Sequence, residues 1–185
     1  YVDVDAEETV RQWYILLQQC AQLPKPKHSA APLLSDLGCG TGRYLDPWAA
    51  AGFSPTGVDA SSRMVAIARR RIGRSVWSSR IRLVCADLRH RNARLERQGP
   101  FDVAVAHFNF LNLFPPGELQ DVLAALALCL RAGARLFTDC APPQLMPTET
   151  VEEITLEDDT LIEVSTRSNP PDNMVTRTYR LGSTR

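Results

Sequence analysis

Leu33-Leu34-Ser35-Asp36-Leu37-Gly38-Cys39-Gly40-Thr41-Gly42 is the stretch that decides the fold. Leu33 to Leu37 is a short apolar run of strand length. Glycines at 38, 40 and 42 follow it at once, and a helix is expected after them. Without Cβ atoms the chain can turn tightly, and a flat ligand can approach the peptide planes closely. The next helix offers free N–H groups and the positive end of its dipole. A dinucleotide would need a third glycine at the sixth position of G-x-G-x-x-G, but Arg43 stands there. Asp36, just before the turn, disfavours a pyrophosphate and suits a ligand with a cationic amine.

Working outward, strands and helices alternate. Pro55 to Val58 reads as a strand ending at Asp59. Ser61 caps a helix with a stripe of Met64, Ile67, Ala68 and Ile72, which Gly73 ends. Ile81 to Cys85 and Phe101 to Ala106 are further strands, the latter apolar enough to be covered on both faces. Pro115 and Pro116 pre-set a helix striped by Leu119, Val122, Leu123, Leu126, Cys129 and Leu130. Gly133 is expected to stop it before a fifth strand, Ala134 to Thr138. Upstream, Glu7 to Cys20 reads as a helix with Val10, Trp13, Tyr14 and Leu17 on one face. This alternation predicts an α/β fold, a doubly wound parallel sheet with ligands bound beyond the carboxyl ends of its strands.

Three organisational units follow. Residues 1–32 form an N-terminal helix and connector, 33–140 the α/β core, and 141–185 an antiparallel β meander. The meander strands are Val151 to Leu156, Thr160 to Thr166 and Asn173 to Leu181, with turn clusters between them.

Each of the first three core strands delivers an acid to the same edge: Asp36, Asp59 and Asp87. A carboxylate at 59 can accept hydrogen bonds from both hydroxyls of a ribose. One at 87 can accept from an exocyclic adenine amine. Any one of the three could instead cap a helix; all three as caps beside the glycine turn is a poorer account of the pattern.

Composition narrows the partners. The chain has 185 residues, 44% hydrophobic and 23% charged, with 21 basic and 21 acidic side chains. Zero net charge disfavours a nucleic-acid or membrane-surface binder, which needs a basic footprint. No apolar run approaches the ~20 residues of a membrane span. Five cysteines lack any Cys-x-x-Cys pair, and His28, His90 and His107 are scattered, so neither a disulfide framework nor a metal site is expected. A reducing, cytoplasmic compartment fits. Eleven of the nineteen arginines lie between Arg63 and Arg97, and seven acids between Glu149 and Glu163. They read as solvated faces or as complementary patches in an oligomer, with a homodimer the expected partner arrangement.

The run Asp36-Leu37-Gly38-Cys39-Gly40-Thr41-Gly42, then Gly57-Val58-Asp59-Ala60-Ser61, Ala86-Asp87-Leu88 and Phe101-Asp102-Val103, resembles a class I S-adenosylmethionine-dependent methyltransferase. The resemblance covers about Leu33 to Cys140 and implies a Rossmann-like sheet of seven strands, one antiparallel. It implies that Asp36, Gly38, Cys39, Gly40, Thr41 and Gly42 hold the methionine part of S-adenosylmethionine. It places Asp59 on the ribose, Ala60 and Met64 near the adenine, and Ala86, Asp87 and Leu88 around the rest of that base. The product would be S-adenosylhomocysteine.

The fourth strand's exit, Ala106-His107-Phe108-Asn109-Phe110-Leu111-Asn112-Leu113-Phe114, lacks the Asn/Asp-Pro-Pro-aromatic tetrad of DNA adenine methyltransferases. It is similar to the loop of small-molecule methyltransferases acting on amines of sugars, amino acids and natural products. His107 is the candidate base, also beside the cofactor, because imidazole titrates near neutral pH. Asn109 and Asn112 are candidates to orient an acceptor, and Phe108, Phe110 and Phe114 to wall it. The meander would cover the substrate or form a dimer contact. The resemblance also implies a further helix and final strands after the meander, so the chain reads as clipped at both ends. The expected function is methyl transfer to N or O of a small metabolite. The alternatives are a cyclase or non-methyl transferase that consumes S-adenosylmethionine, and a non-catalytic ligand-binding subunit.

Overall fold

The computed structural model describes residues 10–15, 31–139, 149–155, 160–169 and 174–183. The first described residues are helical (α1, residues 10–15); the rest of the expected Glu7–Cys20 helix lies outside the described residues. The core then runs β1 (Leu33–Leu37), α2 (Leu45–Ala50), β2 (Ser54–Asp59), α3 (Ser62–Ile72), β3 (Arg82–Cys85), α4 (Ala93–Glu96), β4 (Phe101–Ala106), a 3-10 turn (Phe110–Leu113), α5 (Pro116–Ala127) and β5 (Leu130–Thr138). Five parallel strands pair in the order β3-β2-β1-β4-β5. The chain winds outward from β1 through β2 to β3, then returns to the other side of β1. The reversal lies between β1 and β4, where such sheets bind their ligands.

The strands alternate their side chains between two layers. Leu34, Val103 and Val105 pack with Val10, Tyr44, Trp48 and Phe53 on the α1/α2 side. Leu37, Val58, Ala104 and Ala106 pack with Leu95, Val122 and Leu126 on the α4/α5 side. Burying each such Val or Leu contributes about 1.5–3 kcal/mol. Between α2 and α3, Leu45, Ala49, Ala68, Ile72 and Ile81 close the seam. Gly57 in β2 sits under this seam: a Cβ there would meet Cys39 Sγ at 2.8 Å, Leu45 Cδ1 at 2.8 Å and Leu83 Cδ2 at 3.0 Å.

Several boundaries come out as the sequence predicts. Ser61 caps α3, its hydroxyl accepting the Met64 N–H at 3.3 Å, and Gly73 follows its last residue. The face it buries is Val65, Ala68 and Ile72; Met64 and Ile67 are only half-buried. Pro116 opens α5. Gly133 does not end that helix. The helix stops at Ala127, and Gly133 lies inside β5 with φ 83°. A register shift against β4 between Phe101 and Val103 accompanies this longer strand. Leu123 is 41% exposed and not part of the buried stripe.

β6 (Glu149–Thr155), β7 (Thr160–Asn169) and β8 (Met174–Ser183) form a separate antiparallel sheet in chain order. β8 runs alongside the 3-10 turn after β4, with Cα atoms within 8 Å.

Candidate active site

The carboxyl ends of β1, β2, β3 and β4 are level. Leu37 pairs with Val58 on one side and Ala106 on the other, and Asp59 pairs with Cys85. The residues that leave these strands (Gly38, Ala60, Ala86 and His107) therefore share one edge. Gly38 and Cys39 both donate N–H to the Val58 carbonyl, at 2.8 and 3.0 Å, folding the turn back over β2. Gly38 and Gly40 have φ of 68° and 54°, the left-handed region where a side chain costs about 1–2 kcal/mol. Thr41 is half-buried within the same turn, and Gly42 donates N–H to the Cys39 carbonyl at 2.9 Å.

Asp59 braces this turn. Its Oδ2 accepts the Gly40 N–H at 2.9 Å and its Oδ1 the Ser61 N–H at 2.8 Å. It thus ties the glycine turn to the start of α3, with Ala60 exposed between. Asp36 is 1% exposed, and its Oδ2 lies buried without a hydrogen-bond partner. Burial, reinforced by the nearby Asp59 charge, pushes its pKa up to about 8. Cys39, 7% exposed, is pushed up further, by burial first and then by Asp36 and Asp59. A buried carboxyl oxygen without a partner is costly, and a cation at the lip of the turn, arriving as the carboxyl gives up its proton, would satisfy it. The donor set therefore fits the sulfonium- and amine-bearing cofactor that the sequence resemblance implies.

Asp87 is differently placed. The Arg89 guanidinium grips both its oxygens at 2.6–3.1 Å and holds its pKa at about 2. An adenine amine would have to share the carboxylate with that arginine. Ala86 N–H donates to the Asp59 carbonyl at 3.0 Å, keeping the β3 exit against β2. Ala86 and Leu88 are buried in the apolar layer with Leu95 and Phe101. Asp102 sits at the opposite edge, accepting the Leu33 N–H at 2.7 Å and pairing with Arg131 at 2.5 Å.

His107 lies in an aromatic cluster. Its ring stacks on Tyr44 (centroids 4.9 Å, 27°) and on Trp48 (6.1 Å, 27°), and meets Trp13 edge-on at 4.4 Å. Burial pushes its pKa down to about 4, with Arg43 adding to the drop and Asp139 opposing it. The imidazole is neutral at pH 7 and a far weaker base than its sequence position implies. Tyr44 and Trp48, which the sequence reading did not single out, belong to this cluster; their four-residue spacing after the glycine turn is a signal that could have found them.

The loop after β4 is strained. Phe108 and Asn109 have consecutive φ values of 57° and 55°, which costs about 1–2 kcal/mol for a bulky residue such as Phe108. Asp139, just past β5, offsets this: its Oδ2 accepts the Phe108 N–H at 2.9 Å and its Oδ1 the Asn109 N–H at 2.7 Å. Charge-assisted bonds of this kind contribute about 1.5–3 kcal/mol each. Sequence reading missed Asp139, because its partners lie 30 and 31 residues away. Phe110 then lies over Gly38, with ring atoms 2.4 and 2.6 Å from where a Cβ would be, and packs edge-to-face on Phe114 at 5.2 Å.

The sequence profile of the methyltransferase domain matches residues 35–133, while curated protein sequences yield no match. Among solved structures, the chain is similar to the CcbJ methyltransferase from Streptomyces caelestis (22% identity, TM-score 0.68, 97% of this chain and 67% of that one). It is also similar to CalS10, an amino pentose methyltransferase from Micromonospora echinaspora (18%, 0.62, 97% and 76%). A third is the glycopeptide N-methyltransferase MtfA (15%, 0.60, 97% and 74%). More than half the chain is matched by one profile, and the sheet order and glycine turn agree with it. The chain belongs to the methyltransferase domain family, with the class I fold of the S-adenosylmethionine-dependent enzymes.

Proposed function

We propose that this enzyme methylates an amine nitrogen of a small metabolite, with S-adenosylmethionine as donor and S-adenosylhomocysteine as product. The observation that carries the reading is Asp36, a buried carboxylate with an unpartnered oxygen beside a bare glycine turn. When bound, the cofactor supplies a methyl group activated on a cationic sulfur. Asp36 and the turn from Gly38 to Gly42 would hold its methionine part. Asp59 would hold the ribose, and Ala60, Met64, Ala86, Asp87 and Leu88 the adenine side. Holding donor and acceptor in line does most of the chemistry, with effective molarities of ~10⁵ M or more.

Nitrogen is favoured over oxygen by His107. An imidazole with a pKa of about 4 is poorly matched to removing a hydroxyl proton, whereas a neutral amine attacks without a base. His107 would accordingly serve as a wall of the acceptor side, with Asn109 orienting the amine. The glycopeptide N-methyltransferase MtfA, with its complexes of S-adenosylmethionine, S-adenosylhomocysteine and sinefungin, and the amino pentose methyltransferase CalS10 support the same class. The meander beside the 3-10 turn would cover the acceptor or contact a second copy. The free thiols Cys39, Cys85 and Cys129 suit the cytoplasm.

The test is turnover of labelled S-adenosylmethionine with amino sugars, amino acids and a glycopeptide as acceptors. A methylated amine together with S-adenosylhomocysteine is expected. Methylthioadenosine as the product would favour a transferase of another group. A folded protein that fails to bind S-adenosylhomocysteine in calorimetry would overturn the reading.

A further inference from the structure

The loop from His107 to Phe114 combines three features that a passive pocket wall does not need. Two consecutive non-glycine residues are left-handed, one carboxylate from just past β5 pins both their N–H groups, and an aromatic ring is set down on the first glycine of the turn. The Asp139 carboxylate accepts from both of these successive N–H groups, one on each oxygen. Without the carboxylate, Phe108 has little reason to hold φ 57°, and the chain downstream loses its direction. That downstream chain is the 3-10 turn, which begins at Phe110.

We propose that Phe110 is an occluding residue for the cofactor turn and that Asp139 is the positioning residue that seats it, acting through Phe108 and Asn109. The inference rests on the reading that Gly38 holds the methionine chain. Phe110 and that chain then compete for one face of Gly38. Ring atoms within 2.6 Å of the Cβ position leave no room for both. The ligand enters when the ring leaves, so the fraction of molecules with the ring seated sets a tax on cofactor affinity and association. A ring seated in about nine-tenths of molecules weakens apparent affinity about tenfold. The strain at Phe108 offsets part of what the two hydrogen bonds to Asp139 contribute, which narrows the gap between the seated and departed arrangements.

The full chain is mixed with S-adenosylhomocysteine in a stopped-flow instrument. Trp13 and Trp48, which pack on His107 at the head of the loop, report through their fluorescence. The wild-type rate is expected to level off as ligand rises, because ring departure becomes limiting. Phe110→Ala should associate about tenfold faster and without the plateau, and Phe110→Leu should stay near wild type. Asp139→Asn should speed association as well, and adding it to Phe110→Ala should give no further gain. That non-additivity separates a positioning role from general loosening, which would add to either variant. If Phe110→Ala associates no faster than wild type, the proposal is wrong; this holds whether or not Asp139→Asn folds. Failure of the wild type to bind S-adenosylhomocysteine would instead strike the cofactor reading itself.

Discussion

Asp59 holds Gly40: the carboxylate Oδ2 of the one accepts the backbone N–H of the other at 2.9 Å, across 19 residues of sequence. The second oxygen accepts from Ser61, so one side chain fixes both the glycine turn and the start of α3. The acid at the β2 tip thus holds the glycine turn and the first turn of α3 in one arrangement.

Asp59→Ala removes both bonds. At about 1.5–3 kcal/mol for each hydrogen bond to a charged group, the melting temperature should fall, and S-adenosylhomocysteine affinity should fall about tenfold or more because the turn is no longer held and the ribose loses its proposed acceptor. Asp59→Asn, which keeps one acceptor oxygen, should fall between. Calorimetry paired with thermal melts gives both readouts; unchanged affinity for Asp59→Ala would mean the pocket lies elsewhere.

If Asp36 holds the cofactor's cation as proposed, binding depends on pH. With its pKa pushed up to about 8, the carboxyl is protonated at pH 7, whereas a cationic ligand needs it charged. S-adenosylmethionine affinity should therefore rise by up to tenfold per pH unit between pH 6 and 7.5, with one proton released. Asp36→Asn should abolish that slope and weaken binding. Stability without ligand runs the other way. The raised pKa contributes stability that is present below the unfolded value of 3.8 and lost as pH rises through 8. Asp36→Asn should thus melt higher than wild type at pH 8 and lose that advantage at pH 5.

His107 gives the opposite slope. Its pKa is pushed down from 6.5 to about 4, so the unfolded chain binds a proton more readily in that window. The stability of the neutral, stacked ring is present above pH 6.5 and lost as pH falls to 4. Urea melts of wild type and His107→Phe should diverge across that range, the variant losing less. Parallel curves would place the imidazole outside the aromatic cluster.

Gly57→Ala tests the packing beneath the turn. Its Cβ would press on Cys39, Leu45 and Leu83 at once, and overpacking of this kind costs about 1–3 kcal/mol. The melting temperature should drop by several degrees. Cofactor affinity should fall with it, because Cys39 belongs to the glycine turn.

Elements with local signals were legible in the sequence. The glycine turn, the Ser61 cap, the apolar β4 and the proline-led α5 each combine a strand or helix period with a residue of restricted backbone. Gly133 misled because a glycine after an apolar helix usually marks its end; here the strand begins before it, and the glycine sits within β5. Among the three acids, Asp36 and Asp59 lie together, and each affects the pKa of Cys39. Asp87 is held by Arg89, two residues on, a pairing that the strand-tip reading did not weigh. The His107 cluster draws on α1, α2 and the β4 exit, and no window of sequence contains it. Asp139 is the clearest case: an acid whose purpose is visible only once β5 lies beside β4.

β8 and the 3-10 turn run side by side, while the glycine turn and its acids belong wholly to the five-stranded sheet. The glycine turn and the meander therefore sit on different stretches of chain, and they adjoin at the 3-10 turn, whose Phe110 lies over Gly38.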